Sequence, residues 1–324
     1  MKFKKLRIFF KNFAAGRKAL FAKIGVSIGT ALVFKQLILW IADSKSLCDV
    51  LKNTQWGWIN LYELLTQPWL YLAIALLSAL LSQSSFSHFS KKIRNTDCWI
   101  DISMADIFEN KGQILIPCNN IFFERLPYVG KNSIQAQLIK RMSKRKRKET
   151  TQDQLGEMIS KELSKPDYKE CEIEGKKQEL GGEQYQVYEY GTIVPLSVKV
   201  DKKDRDILLS AMSEITEQGV STIDSETLLQ NIDKMWDYIA AHHTGDDTLV
   251  VPIMGTGSTR VPMPKQVVAR YILYTFAERS AELGIRKLIL SVYPNDYLSD
   301  NINLEELRTY ANFLCKFPNR DFSI

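Results

Sequence analysis

Three loops carry residue types suited to holding a nucleotide. The clearest is Val250–Pro262, which reads VVPIMGTGSTRVP. A buried apolar run ends there, a Gly/Thr/Ser stretch follows, and a helical pattern begins. Small residues let backbone come close to a ligand, and free N–H groups at a turn or helix start attract phosphate oxygens. No GK[ST] follows, so the stretch is not a P-loop. Alone, a GTG loop is weak evidence, because many such turns are only turns.

The second loop follows Asp106. Its strand-like segment GQILIPCNN ends on Asn119 and Asn120. Two amides at the carboxyl end of a buried strand either hydrogen-bond a ribose or cap a turn. The third is Tyr128–Ser133 (YVGKNS), a glycine-bearing loop that opens a helix.

The elements that must position these loops read as alternating buried strands and helices. Cys98–Ser103, Gln113–Pro117, Val187–Val200, Thr248–Met254 and Lys287–Tyr293 have strand character. Helical patterns cover Ser133 to about Lys148, Asp204–Gly219, Glu226–His242, Pro264–Leu283 and Leu304–Phe317. Residues 149–185 are polar and glycine-bearing, and read as an insertion of part helix and part loop. This alternation predicts a three-layer α/β domain over 96–324 with a largely parallel or mixed sheet. In such a sheet, ligands bind at the carboxyl ends of the strands.

Residues 1–95 read differently. Two apolar stretches, about 24–42 and 68–84, are candidate transmembrane helices. Lys35 and Gln36 interrupt the first, and the second sits near the lower limit of roughly 17 residues for a crossing. Eight cations, from Lys2 to Lys23, precede any acidic residue. Lys91, Lys92 and Arg94 follow the second stretch. The positive-inside rule then places both termini in the cytoplasm of a multi-pass inner-membrane protein, with Asp43–Gln67 outside. The competing readings are a cleaved signal peptide and a buried soluble hairpin. The second stretch and the lack of a small-residue cleavage site oppose the former.

Removing those eight cations from the net charge of +6 leaves about −2. A near-neutral remainder is a poor nucleic-acid binder, because phosphate affinity comes mainly from cations. The run Lys144–Lys148 (KRKRK) reads as a solvated helix end suited to anionic lipid rather than as a nucleic-acid site. The five cysteines are scattered, odd in number and without a CxxC spacing, which argues against a disulfide framework and a zinc site. His242 and His243 read as a helix end, and no metal is expected.

In order and spacing, the three loops resemble the macro domain, the ADP-ribose-binding module. Ala105-Asp106-Ile107 stands where that family has a GDI-type motif, and Ile116-Pro117-Cys118-Asn119-Asn120 where it has a VNAAN-type strand end. Val129-Gly130-Lys131-Asn132 takes the place of the first glycine-rich loop. Tyr190–Ile193 resembles the GEAV-type strand, and the late loop is Met254-Gly255-Thr256-Gly257-Ser258-Thr259 with Arg260 beside it.

The resemblance implies an adenine contact from Asp106 and Ile107, and distal-ribose contacts from Asn119 and Asn120. It implies diphosphate contacts from Val129, Gly130, Lys131 and Met254–Arg260, and an adenosine-pocket wall at Tyr293–Asp296 that includes Asn295. Pro117 and the lone Gly130 depart from hydrolytic members. That implies binding without turnover, so no catalytic residue and no cofactor are expected.

With two spans ahead of it, the chain resembles the transmembrane macro effectors of Thoeris anti-phage defence. That narrower resemblance implies a histidine adduct of ADP-ribose as ligand, made from NAD by a TIR-domain partner. It also implies ligand-driven homo-oligomer assembly that damages the lipid bilayer. The alternatives are a membrane-anchored ADP-ribosyl hydrolase and a membrane scaffold with an empty domain.

Overall fold

The computed structural model describes Gln36, 55–56, 59–60, 88–125, 130, 133–143, 148–216, 221–242, 247–255, 261–299 and 301–318. Both expected membrane spans lie outside the described residues, apart from Gln36. Among the described residues, no helix is long and apolar enough to cross a membrane.

The chain divides into two compact units, Met1–Ser87 and His88–Ile324. In the first, β1 (Gln55–Trp56) and β2 (Ile59–Asn60) form a two-stranded antiparallel hairpin between the two apolar stretches.

The second unit is built on one mixed sheet. Its strands are β3 (His88–Lys92), β4 (Trp99–Ser103), β5 (Gln113–Asn119), β8 (Ile193–Val200), β9 (Lys203–Ile215), β10 (Ser221–Thr222), β11 (Thr248–Pro252) and β12 (Lys287–Ser291). The order across the sheet is β10-β9-β5-β11-β12-β4-β3, with β8 also paired to β9. The inner five strands, β9, β5, β11, β12 and β4, run parallel. The outer three, β3, β8 and β10, are antiparallel to their neighbours.

Helices cover the sheet. On one side, α1 (Ile134–Met142) and α2 (Lys148–Leu163) bury Leu138, Ile139, Leu155 and Ile159 against Ile114, Ile116 and Cys118 of β5. The other helices are α3 (Ser225–His242), α4 (Lys265–Arg279), the short α5 (Pro294–Leu298) and α6 (Leu304–Lys316). Trp236 of α3 packs on Phe276 of α4 at 5.9 Å, and its indole N–H donates to Thr275 Oγ1. The sequence expectation of a mixed α/β sheet flanked by helices holds for this unit.

Four local expectations need correction. The helix expected over Asp204–Gly219 is replaced, across its described residues, by the strand β9. Residues 207–212 are apolar or small and buried without interruption, as a strand covered on both faces requires. The same apolar positions also satisfy helical spacing, so periodicity could not separate the two.

The helix expected from Ser133 to Lys148 ends at Met142, and α2 begins at Lys148. The polar stretch 149–185 holds most of α2 and a second hairpin, β6 (Glu172–Leu180) with β7 (Glu183–Tyr188). The strand expected at Val187–Val200 is therefore two strands, separated by a turn at Gly191.

The unit also takes in β3, whose Lys91 and Lys92 read as cations flanking a span. Its register is fixed by Asp101, buried in β4. That carboxylate accepts from Ser90 Oγ at 2.5 Å and lies 3.4 Å from both His88 Nε2 and Lys287 Nζ. One buried charge thus joins β3, β4 and β12, since a buried carboxylate needs partners.

Candidate functional site

Parallel pairing brings the carboxyl ends of β4, β12, β11, β5 and β9 to one edge of the sheet. The loops expected to hold a ligand leave from that edge.

At the end of β11, Met254 is buried. Gly255 adopts φ +70°, and a Cβ there would lie 2.5 Å from Leu228 and 3.1 Å from Val261. Only glycine meets both demands. The Val261 N–H donates to the Gly255 carbonyl at 3.1 Å, which closes the base of the loop. Thr256, Gly257, Ser258, Thr259 and Arg260 lie outside the described residues, as do Val129 and Lys131.

At the end of β5, the two asparagines have different roles. Asn119 donates to the Phe123 carbonyl at 3.0 Å and accepts from the Phe123 N–H at 2.9 Å. Its amide is spent closing the turn, the capping role weighed against ribose contact above. Asn120 is 2 % exposed, and among the described residues its Oδ1 has no hydrogen-bond partner. Its backbone is held on both sides, by the Ser213 carbonyl and by the Tyr188 N–H. A buried acceptor without a donor is costly, so it stands out at this edge.

Gly130 accepts from the Ser133 N–H at 2.8 Å, and Ser133 Oγ caps α1 by accepting from the Ala136 N–H. Gln135, buried in the first turn of α1, adds a second donor to the Phe123 carbonyl. Gly130, the start of α1 and the Asn119 turn are therefore linked by hydrogen bonds.

Asp106 is more committed than its motif implies. Its Oδ1 caps the short 3-10 turn Ile107–Glu109 through the Phe108 N–H, and its Oδ2 pairs with Arg141 Nη2 at 2.6 Å. Arg141 also holds Asp201 at 2.8 Å and lies 4.7 Å over the Phe108 ring. Asp201 sits in the β8–β9 turn, at the amino end of β9 and so at the opposite edge of the sheet. Ile107 is buried in the core. Asn110 Nδ2 and the Ala105 carbonyl both bond Ser291 Oγ, which anchors the Asp106 loop to the carboxyl end of β12.

Tyr293 is no strand end; it is the residue before α5 and is 41 % exposed. Asn295 is exposed within α5, and Lys265 at the start of α4 pairs with Asp296 at 2.6 Å. This ion pair fixes α5 against the helix that follows the Gly255 loop.

A family model described as Thoeris protein ThsA, Macro domain matches residues 100–292, more than half of the chain. The chain belongs to the ThsA macro-domain family.

The macro domain here also resembles solved macrodomain structures from Oceanobacillus iheyensis. One with MES bound is 14% identical at a TM-score of 0.40, covering 66% of this chain and 100% of that one. One with ADP is 14% identical at 0.40, covering 66% and 99%. A mutant with ADPR is 13% identical at 0.41, covering 70% and 95%. No curated protein matches the chain.

Several residues of this macro domain escaped sequence reasoning. Arg141 sat in a basic run and Asp201 in an anonymous turn. Nothing in their local spacing marks them, since their partners come from distant segments. Glu124 and the β6–β7 hairpin lay outside every motif, yet they flank the Asn119 turn. Cys118 and Cys315 are buried free thiols whose pKa burial pushes up, to about 11 at Cys315. Among the described residues, no group of His, Cys, Asp and Glu is arranged to hold a metal. His242 ends α3, stacked on the Tyr238 ring at 4.0 Å.

Proposed function

We propose that this chain is the membrane effector of a Thoeris anti-phage system, and that its macro domain senses an ADP-ribose-derived signal. The observation that carries the binding part is the edge where Gly255, Asn120 and Gly130 meet the carboxyl ends of the parallel strands. Gly255 turns the chain left-handed, and the Val261 N–H closes the loop base. Such a loop, followed by the start of α4, offers backbone N–H groups to a diphosphate. Membership of the ThsA macro-domain family supports ADP-ribose as the ligand core.

In this reading the signal is histidine-ADP-ribose, made from NAD by a TIR-domain partner. Gly255 to Arg260 hold the diphosphate together with Val129, Gly130 and Lys131. Asn120 meets the distal ribose, while Asn119 acts through the turn it closes. Asp106 and Ile107 border the adenine with Tyr293 and Asn295. Residues 24–42 and 68–84 cross the inner membrane, with both termini cytoplasmic. Ligand binding favours a homo-oligomeric state in which the spans breach the bilayer. A ligand shifts that equilibrium only by its differential affinity for the two states.

The test is co-expression of the full chain with a TIR partner under infection, then mass spectrometry of the small molecule retained on purification. An ADP-ribose adduct recovered from the wild-type chain and lost from Gly257→Glu supports the reading. Recovery of no nucleotide from either contradicts it. Release of ADP-ribose from mono-ADP-ribosylated protein at catalytic rates would replace the sensor with a hydrolase.

A further inference from the structure

The chain enters the macro domain through β3, and β3 is held lightly. Residues 85–87 alone separate it from the second apolar stretch. It lies at one end of the strand order and, among the described strands, pairs with β4 alone. None of its five side chains is buried, whereas four of the five in β4 are. Apolar burial therefore contributes little to its attachment. The next residue, Ile93, is fully buried, and its N–H donates to the Cys98 carbonyl at 2.8 Å. The firm anchor thus stands just past the strand, at the end away from the apolar stretch.

What holds β3 besides its ladder with β4 is mostly polar. The Asp101 carboxylate, buried in β4, gathers Ser90 and His88 of β3 with Lys287 of β12. Asn312 Oδ1 of α6 accepts from Lys91 Nζ, and the Arg308 guanidinium lies 5.8 Å over the Phe89 ring. A buried ion pair gains little net free energy over its solvated partners. Peeling β3 away would uncover Asp101 to water and leave Lys287 beside it, so the exchange is close to balanced.

The His88 end also sits where a ligand can act on it. The register sets His88 opposite Ser103, the last residue of β4. The Ser103 carbonyl accepts from the Val292 N–H at 2.8 Å, next to Ser291, which bonds the Ala105 carbonyl before the Asp106 turn. Peeling from His88 as far as Ile93 would add five residues to the link with 68–84, roughly 17 Å when extended.

We propose that β3 is a releasable strap, latched on β4 by Asp101 at rest and peeled from His88 to Ile93 when the signal binds. The longer link gives the second apolar stretch the freedom to assemble with those of other copies. The strap rests on the reading of residues 68–84 as a membrane span of a ligand-gated effector, and it adds the element that couples site to span. Linkage fixes the signs: whatever favours release tightens the ligand, and whatever locks β3 weakens it.

The test is dye release from liposomes carrying the full chain, with histidine-ADP-ribose as the probe and calorimetry of its binding alongside. His88→Cys with Ser103→Cys places a thiol pair at facing cross-strand positions, whose spacing suits a disulfide. Wild type, oxidised or reduced, and the reduced pair are expected to release dye on addition of the probe. The oxidised pair is expected to bind it about fivefold more weakly or worse, to release none, and to recover with reductant. Asp101→Asn, which weakens the latch, is expected to leak without the probe, an effect that mere loss of structure at the site would not produce. An oxidised pair that releases dye like the reduced one, or Asp101→Asn that folds and stays silent without the probe, overturns the strap and leaves the effector reading standing. Wild type that binds the probe yet releases no dye overturns the effector reading, and the strap with it.

Discussion

Arg141 pairs with Asp106 through one guanidinium nitrogen at 2.6 Å and with Asp201 through another at 2.8 Å. The three side chains are only 23–30% exposed. One cation at the end of α1 thus ties the Asp106 turn to the β8–β9 turn, with both carboxylates around a single guanidinium. A partly buried pair of this kind is costly to break, because removing one partner leaves the other charge unmatched.

Arg141→Ala is expected to destabilise the chain by about 1–3 kcal/mol, and Asp106→Asn by a similar amount. The double variant should cost less than the two together, because each single change already severs the shared pair. Thermal melts of the full chain in detergent measure this, and strict additivity would count against a coupled pair.

Gly255→Ala should act on stability and site together. Positive φ and contact with Leu228 oppose any side chain there, at a cost of about 1–3 kcal/mol. ADP-ribose affinity should fall as the loop base opens. A variant that melts and binds like wild type would show that the turn is not required.

Asn119→Ala should expose the Phe123 amide, whose N–H loses its acceptor. Asn119→Asp keeps that acceptor but cannot donate to the Phe123 carbonyl, which retains Gln135. Hydrogen exchange at Phe123 should therefore rise strongly in the first variant and weakly in the second. Equal protection in both would remove Asn119 from the turn.

Much of this architecture is legible in the sequence, for physical reasons that differ by element. β11 and β12 are short apolar runs bounded by turn residues, so their place in a buried sheet is readable. The start and end of α6 are marked by Asn303, which caps it through the Glu306 N–H, and by its own amphipathic spacing. β9 was not readable, because a strand buried on both faces loses the alternation that marks one. β3 was not readable either, since its exposed and half-buried residues and its lysines resemble a solvated linker. The loops were visible as glycine and asparagine clusters. What Asn119 and Asp106 bond was not, because Phe123 and Arg141 become partners only through the fold.

The raised Glu124 carboxyl makes a pH prediction whose sign is fixed. The folded state holds that proton more tightly than the unfolded chain, whose ordinary value is 4.5. Stability therefore falls as pH rises from about 4.5 through the folded pKa, and the full penalty is present above it. Arg125 moderates the penalty, while Asp153 and Glu183 increase it. Glu124→Gln should melt higher than wild type at neutral pH, with the advantage fading towards pH 4. An advantage independent of pH would point to packing instead.

The measurement closest to the central claim is titration calorimetry of the full chain in lipid nanodiscs with histidine-ADP-ribose, beside Gly257→Glu. Saturable binding by the wild-type chain and none by the variant, both retaining the same melting behaviour, is the expected result. Wild-type protein that folds yet takes up neither the adduct nor ADP-ribose at millimolar ligand would contradict the account.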